Sequence, residues 1–164
     1  MYANSTSRNR PLRGQKTKVR ASAASYLLVA LQLGSSLTLT VSGPLKPAHW
    51  WIALGPVGGV ILAAWALLEL RHSRLSVLPH IKPGATLVTS GPYRLMRHPM
   101  YASLLLVFVP LTVNHPTQAR WAALGVLSLS LFLKMGLEER LLRARFPEYG
   151  LYAARTRKII PWIY

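Results

Sequence analysis

HPMYASLLLVFVPLTVNHPTQARWAALGVLSLSLFLKMGLEER, residues 98–140, is the stretch that decides the fold. No Lys, Arg, Asp or Glu occurs from 98 to 119, and none again from 121 to 133. Between the two apolar runs lies Asn114-His115-Pro116, a turn signal, so the stretch reads as a helical hairpin built for lipid. Pro99 suits the first turn of a helix, because its missing N–H would have no partner there anyway. The second run meets Lys134 after roughly 20 Å of helix, which places that lysine at or just inside the membrane boundary, where its stem can snorkel. Outward from the hairpin, residues 21–45 and 47–68 are two more stretches without a formal charge. Trp50-Trp51 opens the second of these as an interfacial pair, and Gly55, Gly58 and Gly59 suit close helix packing. The Gly55-Pro56 step predicts a bend. The resulting expectation is an all-α integral membrane protein with about four transmembrane helices, near 22–42, 49–69, 99–113 and 118–137. A basic arm (1–21) precedes this domain, and a tail (138–164) closes it.

The chain carries 20 Lys and Arg against four acidic residues, a formal charge of +16. Where the cations fall matters more than their number. Eighteen lie in the amino-terminal arm, in the loop after the second span and from Lys134 onward; Lys46 and Arg120 alone fall in the other two loops. The positive-inside rule reads this partition as both termini in the cytosol. Attraction to anionic inner-leaflet lipid accounts for the rest of the basic excess, and no nucleic-acid partner is expected. The first span follows a basic segment, as a signal peptide would. It is too long for such an h-region and lacks a small-x-small cleavage site, so it reads as a retained anchor. With no cysteine, disulfides, thiolate metal sites and cysteine nucleophiles are excluded.

Residues 70–97 form a long loop of mixed apolar and polar character, which points to function more than to a linker. Acidic residues are scarce enough for each to be informative: Glu69, Glu138, Glu139 and Glu148, with no aspartate. Glu138 and Glu139 stand where the fourth span leaves the membrane. If the helix stopped there, its dipole would disfavour them, so stability alone explains them poorly. Two readings stay open: ion pairing with Arg140, Arg143 or Lys134, or a ligand role. Lys134 and Glu138 are four residues apart and share a helix face. His98, at the mouth of the third span, is either an interfacial hydrogen-bonding residue or part of a site. His49, His72, His80 and His115 show no metal-ligand spacing, and no metal is expected.

The segment TLVTSGPYRLMRHPMY, residues 86–101, resembles the signature of the isoprenylcysteine carboxyl methyltransferase family and its phospholipid methyltransferase relatives. After the hairpin, EERLLRARF at 138–146 is similar to that family's glutamate-pair motif, and Tyr149, Tyr152 and Ile160-Pro161 resemble its ending. The resemblance covers roughly residues 80–161, in order and at nearly the family spacing. It implies a methyltransferase with a cytosolic pocket for S-adenosylmethionine. The residues it assigns to the cofactor are Ala85, Thr86, Leu87, Val88, Tyr93, His98, Pro99, Met100, Tyr101 and Glu138, with Arg97 and Glu139 as secondary candidates. Lys134 stands where the carboxyl methyltransferases place an arginine near the substrate carboxylate, and Pro147 where they have glycine. The implied acceptor is a lipophilic carboxylate such as a prenylated cysteine. A phospholipid or other lipid amine, a related reductase using NADPH, and a non-enzymatic membrane module are the alternatives.

Overall fold

The computed structural model describes residues 23–44, 46, 48–71 and 86–159. The basic arm at 1–21, the candidate Ala85 and the Ile160-Pro161 ending lie outside them. The described residues form α1 (Ala23–Val41), a 3-10 turn (Trp50–Ala53) running straight into α2 (Leu54–Arg71), a second 3-10 turn (Gly91–Arg94), α3 (Pro99–Asn114), α4 (Gln118–Arg145) and α5 (Tyr149–Arg155). No strand occurs among them. α1, the Trp50–Arg71 segment and α4 are long and apolar enough to cross a membrane, and α3 is a shorter apolar helix of 16 residues. Only 17% of the spanning window is buried in α1 and in the Trp50–Arg71 segment. Their outward leucines and valines, among them Leu33, Leu37, Val57 and Val60, have no protein to cover them. An apolar surface this continuous belongs in lipid, and the protein is a membrane protein.

The helices associate as two pairs, α2 on α3 and α1 on α4, with the hydrophobic core where α3 and α4 meet. Two glycines four residues apart let α2 and α3 approach. A Cβ at Gly59 would lie 2.7 Å from the Ser103 carbonyl oxygen, and one at Gly55 would lie 2.8 Å from the Leu106 carbonyl oxygen. The Leu106 carbonyl is the one that Pro110, inside α3 and lacking an N–H, cannot engage. Gly58, between them, faces open space. The close packing read from this glycine run is therefore the work of Gly55 and Gly59.

α4 begins where Thr117 caps it, its side chain accepting from the Arg120 N–H at 3.2 Å. The helix then runs 28 residues, about 42 Å, well beyond the ~30 Å of a hydrocarbon core. Its last turns, with Glu138 and Glu139, therefore project past the core. Near the other end, Arg120 departs from the loop position that charge counting gave it: it is fully buried. Its Nη atoms donate to the carbonyls of Leu39 (3.0 Å) and Leu111 (2.9 Å) and to the Ser42 hydroxyl (3.4 Å). Those carbonyls belong to the last turns of α1 and α3, where unpaired C=O groups and the negative dipole end favour a cation.

Candidate functional site

The tail folds back on the entrance to α3. Met96 and Arg157 form an isolated parallel bridge, the Arg97 N–H donates to the Arg157 carbonyl (2.7 Å), and the His98 N–H donates to the Lys158 carbonyl (3.0 Å). This return fixes the backbone on which the candidate residues sit. The Arg97 side chain tightens it: Nη1 donates to the carbonyls of Ala153 (2.7 Å) and Thr156 (2.5 Å), and Nε to Glu139 Oε1 (2.8 Å). Both side chains of that ion pair are about nine-tenths buried. Glu139 thus follows the ion-pairing reading, but with Arg97 as its main partner. Arg143 is farther off, its Nη2 3.9 Å from Glu139 Oε2.

Glu138, about 100° around the helix from its neighbour, meets a different set of groups. Its Oε1 accepts from the Tyr101 hydroxyl at 2.6 Å and lies 3.9 Å from Lys134 Nζ. Its Oε2 lies 3.8 Å from His98 Nδ1. The His98 ring stacks on Tyr101, centroids 5.3 Å apart and planes 3° from parallel, and Lys134 Nζ sits 5.3 Å from the centroid of the same tyrosine. His98 Nε2 is buried 3.5 Å from Glu139 Oε1, a contact without a hydrogen bond. His98, Tyr101, Lys134 and Glu138 therefore form one cluster across the α3–α4 contact. Pro99 is buried as the first residue of α3, and Met100 packs on the core.

The other candidates lie beside this cluster. Leu87, Val88 and Tyr93 line a cleft with Leu70, Arg97, Leu142, Tyr149 and Tyr152, and Thr86, next to Leu87 in the chain, is exposed. Tyr93 is the common wall. Burial first, then the neighbouring Tyr152, Glu138 and Glu69, raise its pKa, so its hydroxyl stays protonated as a donor. Burial likewise pushes Tyr152 up to about 12, and its hydroxyl donates to the Tyr93 carbonyl at 2.8 Å. The Gly91 turn behind Tyr93 has φ +55°, and a Cβ there would come within 2.6 Å of Glu69 Oε1. Glu69 Oε2 accepts from the Ser90 hydroxyl at 2.5 Å, which brings a third carboxylate to this end.

Sequence reasoning missed Glu69's part in shaping the turn, and it missed Gln32, whose Oε1 accepts from Lys134 Nζ at 3.4 Å. Glu69's scarcity as an acid was the one available signal. Gln32 gave none.

The family model for phospholipid methyltransferases matches residues 47–149, from just before α2 to the start of α5. The chain belongs to the phospholipid methyltransferase family. Among curated relatives of this family member, the cobalt-zinc-cadmium resistance protein CzcN of Cupriavidus metallidurans is 39% identical over 77 residues, which cover 46% of the chain and 36% of that protein. The uncharacterized protein YpbQ of Bacillus subtilis is 35% identical over 71 residues, covering 40% of the chain and 41% of that protein. The chain thus spans well under half of each relative's length. In this phospholipid methyltransferase family member, α2, α3, α4 and all four residues of the cluster fall inside the matched region, and α1 falls outside it.

Proposed function

We propose that the protein is a membrane methyltransferase that uses S-adenosylmethionine to methylate the carboxylate of a lipophilic acceptor, a prenylated cysteine being the type case. The family match supports methyl transfer. The observation that carries the carboxylate is Lys134: its side chain is only 8% exposed, beside the glutamate assigned to the cofactor. A buried cation holding long contacts is suited to an anionic acceptor, and it would repel an ammonium.

The residues present fit the cofactor. Glu138 would supply a carboxylate toward a sulfonium and its amino acid end, Tyr93 would supply an aromatic face, and His98 Nε2 is a buried polar atom without a hydrogen bond. When bound, S-adenosylmethionine supplies an electrophilic methyl group whose C–S bond breaks, the electron pair staying on sulfur, as the C–O bond to the acceptor forms. An ionised carboxylate has no proton to lose, so the protein needs no general base, only placement and exclusion of water. Lys134 would orient the acceptor. Tyr101, fixed by both His98 and Glu138, would hold the floor between acceptor and cofactor. The chain would cross the membrane several times with its termini and this pocket facing the cytosol, a reading supported by the distribution of Lys and Arg.

The family's description favours a second reading, methylation of a lipid amine, in which Glu69 and Glu138 would face the ammonium. Product analysis separates the two. Purified protein is given S-adenosylmethionine with either N-acetyl-S-farnesylcysteine or phosphatidylethanolamine vesicles, and the products are read by mass spectrometry. The carboxylate reading predicts a base-labile methyl ester from the first; an N-methyl amine from the second, with no ester, would overturn it.

A further inference from the structure

We infer that Gln32 of α1 is a positioning residue that sets the acceptor preference of the site by holding Lys134 between α1 and α4. The inference rests on the methyltransferase reading above. It begins with what the polar groups of α1 do. Ser35 Oγ donates to the Leu31 carbonyl at 2.6 Å, Thr38 Oγ1 to the Gly34 carbonyl at 2.9 Å and Thr40 Oγ1 to the Ser36 carbonyl at 2.8 Å. Each turns its hydroxyl back onto its own helix, the ordinary way for Ser and Thr to satisfy themselves in lipid. Gln32 instead reaches across to α4, where its Oε1 takes the 3.4 Å bond from Lys134 Nζ. A primary amide in an apolar helix is costly to bury, and such a group facing the inside of a bundle marks a site more often than a scaffold.

Lys134 has three N–H donors. Its contacts are Gln32 at 3.4 Å, Glu138 Oε1 at 3.9 Å and the Tyr101 ring at 5.3 Å, all long for a charge with a side chain only 8% exposed. Glu138 Oε1 is already engaged by the Tyr101 hydroxyl at 2.6 Å. Gln32 therefore draws the amine toward α1 and off Glu138, which leaves Lys134 able to form short bonds with an incoming anion and leaves Glu138 to the cofactor.

The test compares two ligands and two variants in the full chain. Wild type, Gln32→Leu and Gln32→Glu are saturated with S-adenosylhomocysteine, then titrated with N-acetyl-S-farnesylcysteine and with its methyl ester, which lacks the charge. Wild type should prefer the acid. Gln32→Leu should bind the acid about tenfold more weakly, because Lys134 is then free to turn to Glu138 and away from the acceptor, with the ester unchanged. Gln32→Glu supplies a better partner for Lys134, so its melting temperature should hold or rise while the acid preference is lost; a merely structural role predicts the opposite pairing. A wild-type chain that binds S-adenosylhomocysteine without preferring the acid, or a Gln32→Leu that keeps the preference, overturns the inference and leaves the methyltransferase reading standing. Failure of wild type to bind S-adenosylhomocysteine overturns both.

Discussion

The two ends of the helix bundle handle buried charge in opposite ways. At one end Arg120 is fully buried with no carboxylate among its described partners; helix-terminal carbonyls of α1 and α3 and the Ser42 hydroxyl hold it, and only its Nε goes without. At the other end, 18 residues and about 27 Å along α4, three of the chain's four carboxylates gather around Tyr93, Tyr101 and His98. The first arrangement is closed around one cation, at which three oxygens are aimed. The second holds long contacts, at Lys134 and at both ring nitrogens of His98.

Cutting the closed end should have the largest effect on stability. Arg120→Leu strands two buried carbonyls and unties three helices, so thermal unfolding in detergent should show a loss of about 3–5 kcal/mol. Affinity of the surviving folded protein for S-adenosylhomocysteine should not change. The open end contains one joint of its own, Arg97–Glu139, and Glu139→Gln should cost about 2 kcal/mol by the same measurement, since the guanidinium keeps an acceptor but not a charge. Between the ends, Gly59→Ala pushes a methyl into the Ser103 carbonyl and should cost about 1–2 kcal/mol. The smallest effect is Gly58→Ala, which meets open space and gains helix propensity; stability should rise by no more than about 1 kcal/mol. Equal effects at Gly58 and Gly59 would show that the α2–α3 contact is not the close approach described here.

The helices were legible because runs without charge have few other uses, and Pro99, Asn114-His115-Pro116 and Pro147 mark where they start and stop. Arg120 was not. Counting charges by position assigned it to a loop, and no local pattern reveals that carbonyls nine and 81 residues away converge on it. Glu138 and Glu139 were legible as a pair and ambiguous as individuals: adjacent on a helix, they face different neighbours, and the difference depends on where α3 and the returning tail lie. The family resemblance found most of the residues that cluster, yet it could not supply Gln32, which sits 102 residues from Lys134 on a helix outside the motifs.

The adjacent glutamates offer the most direct test of the account, because one is assigned to the cofactor and the other to the ion pair with Arg97 beside the returning tail. Calorimetric titration with S-adenosylhomocysteine of wild type, Glu138→Gln and Glu139→Gln in detergent sets them side by side. The account predicts saturable binding by wild type, at least about tenfold weaker binding by Glu138→Gln with unfolding nearly unchanged, and lowered stability with affinity within about threefold for Glu139→Gln. A folded wild type that does not bind, or a Glu138→Gln that binds as tightly as wild type, would contradict it.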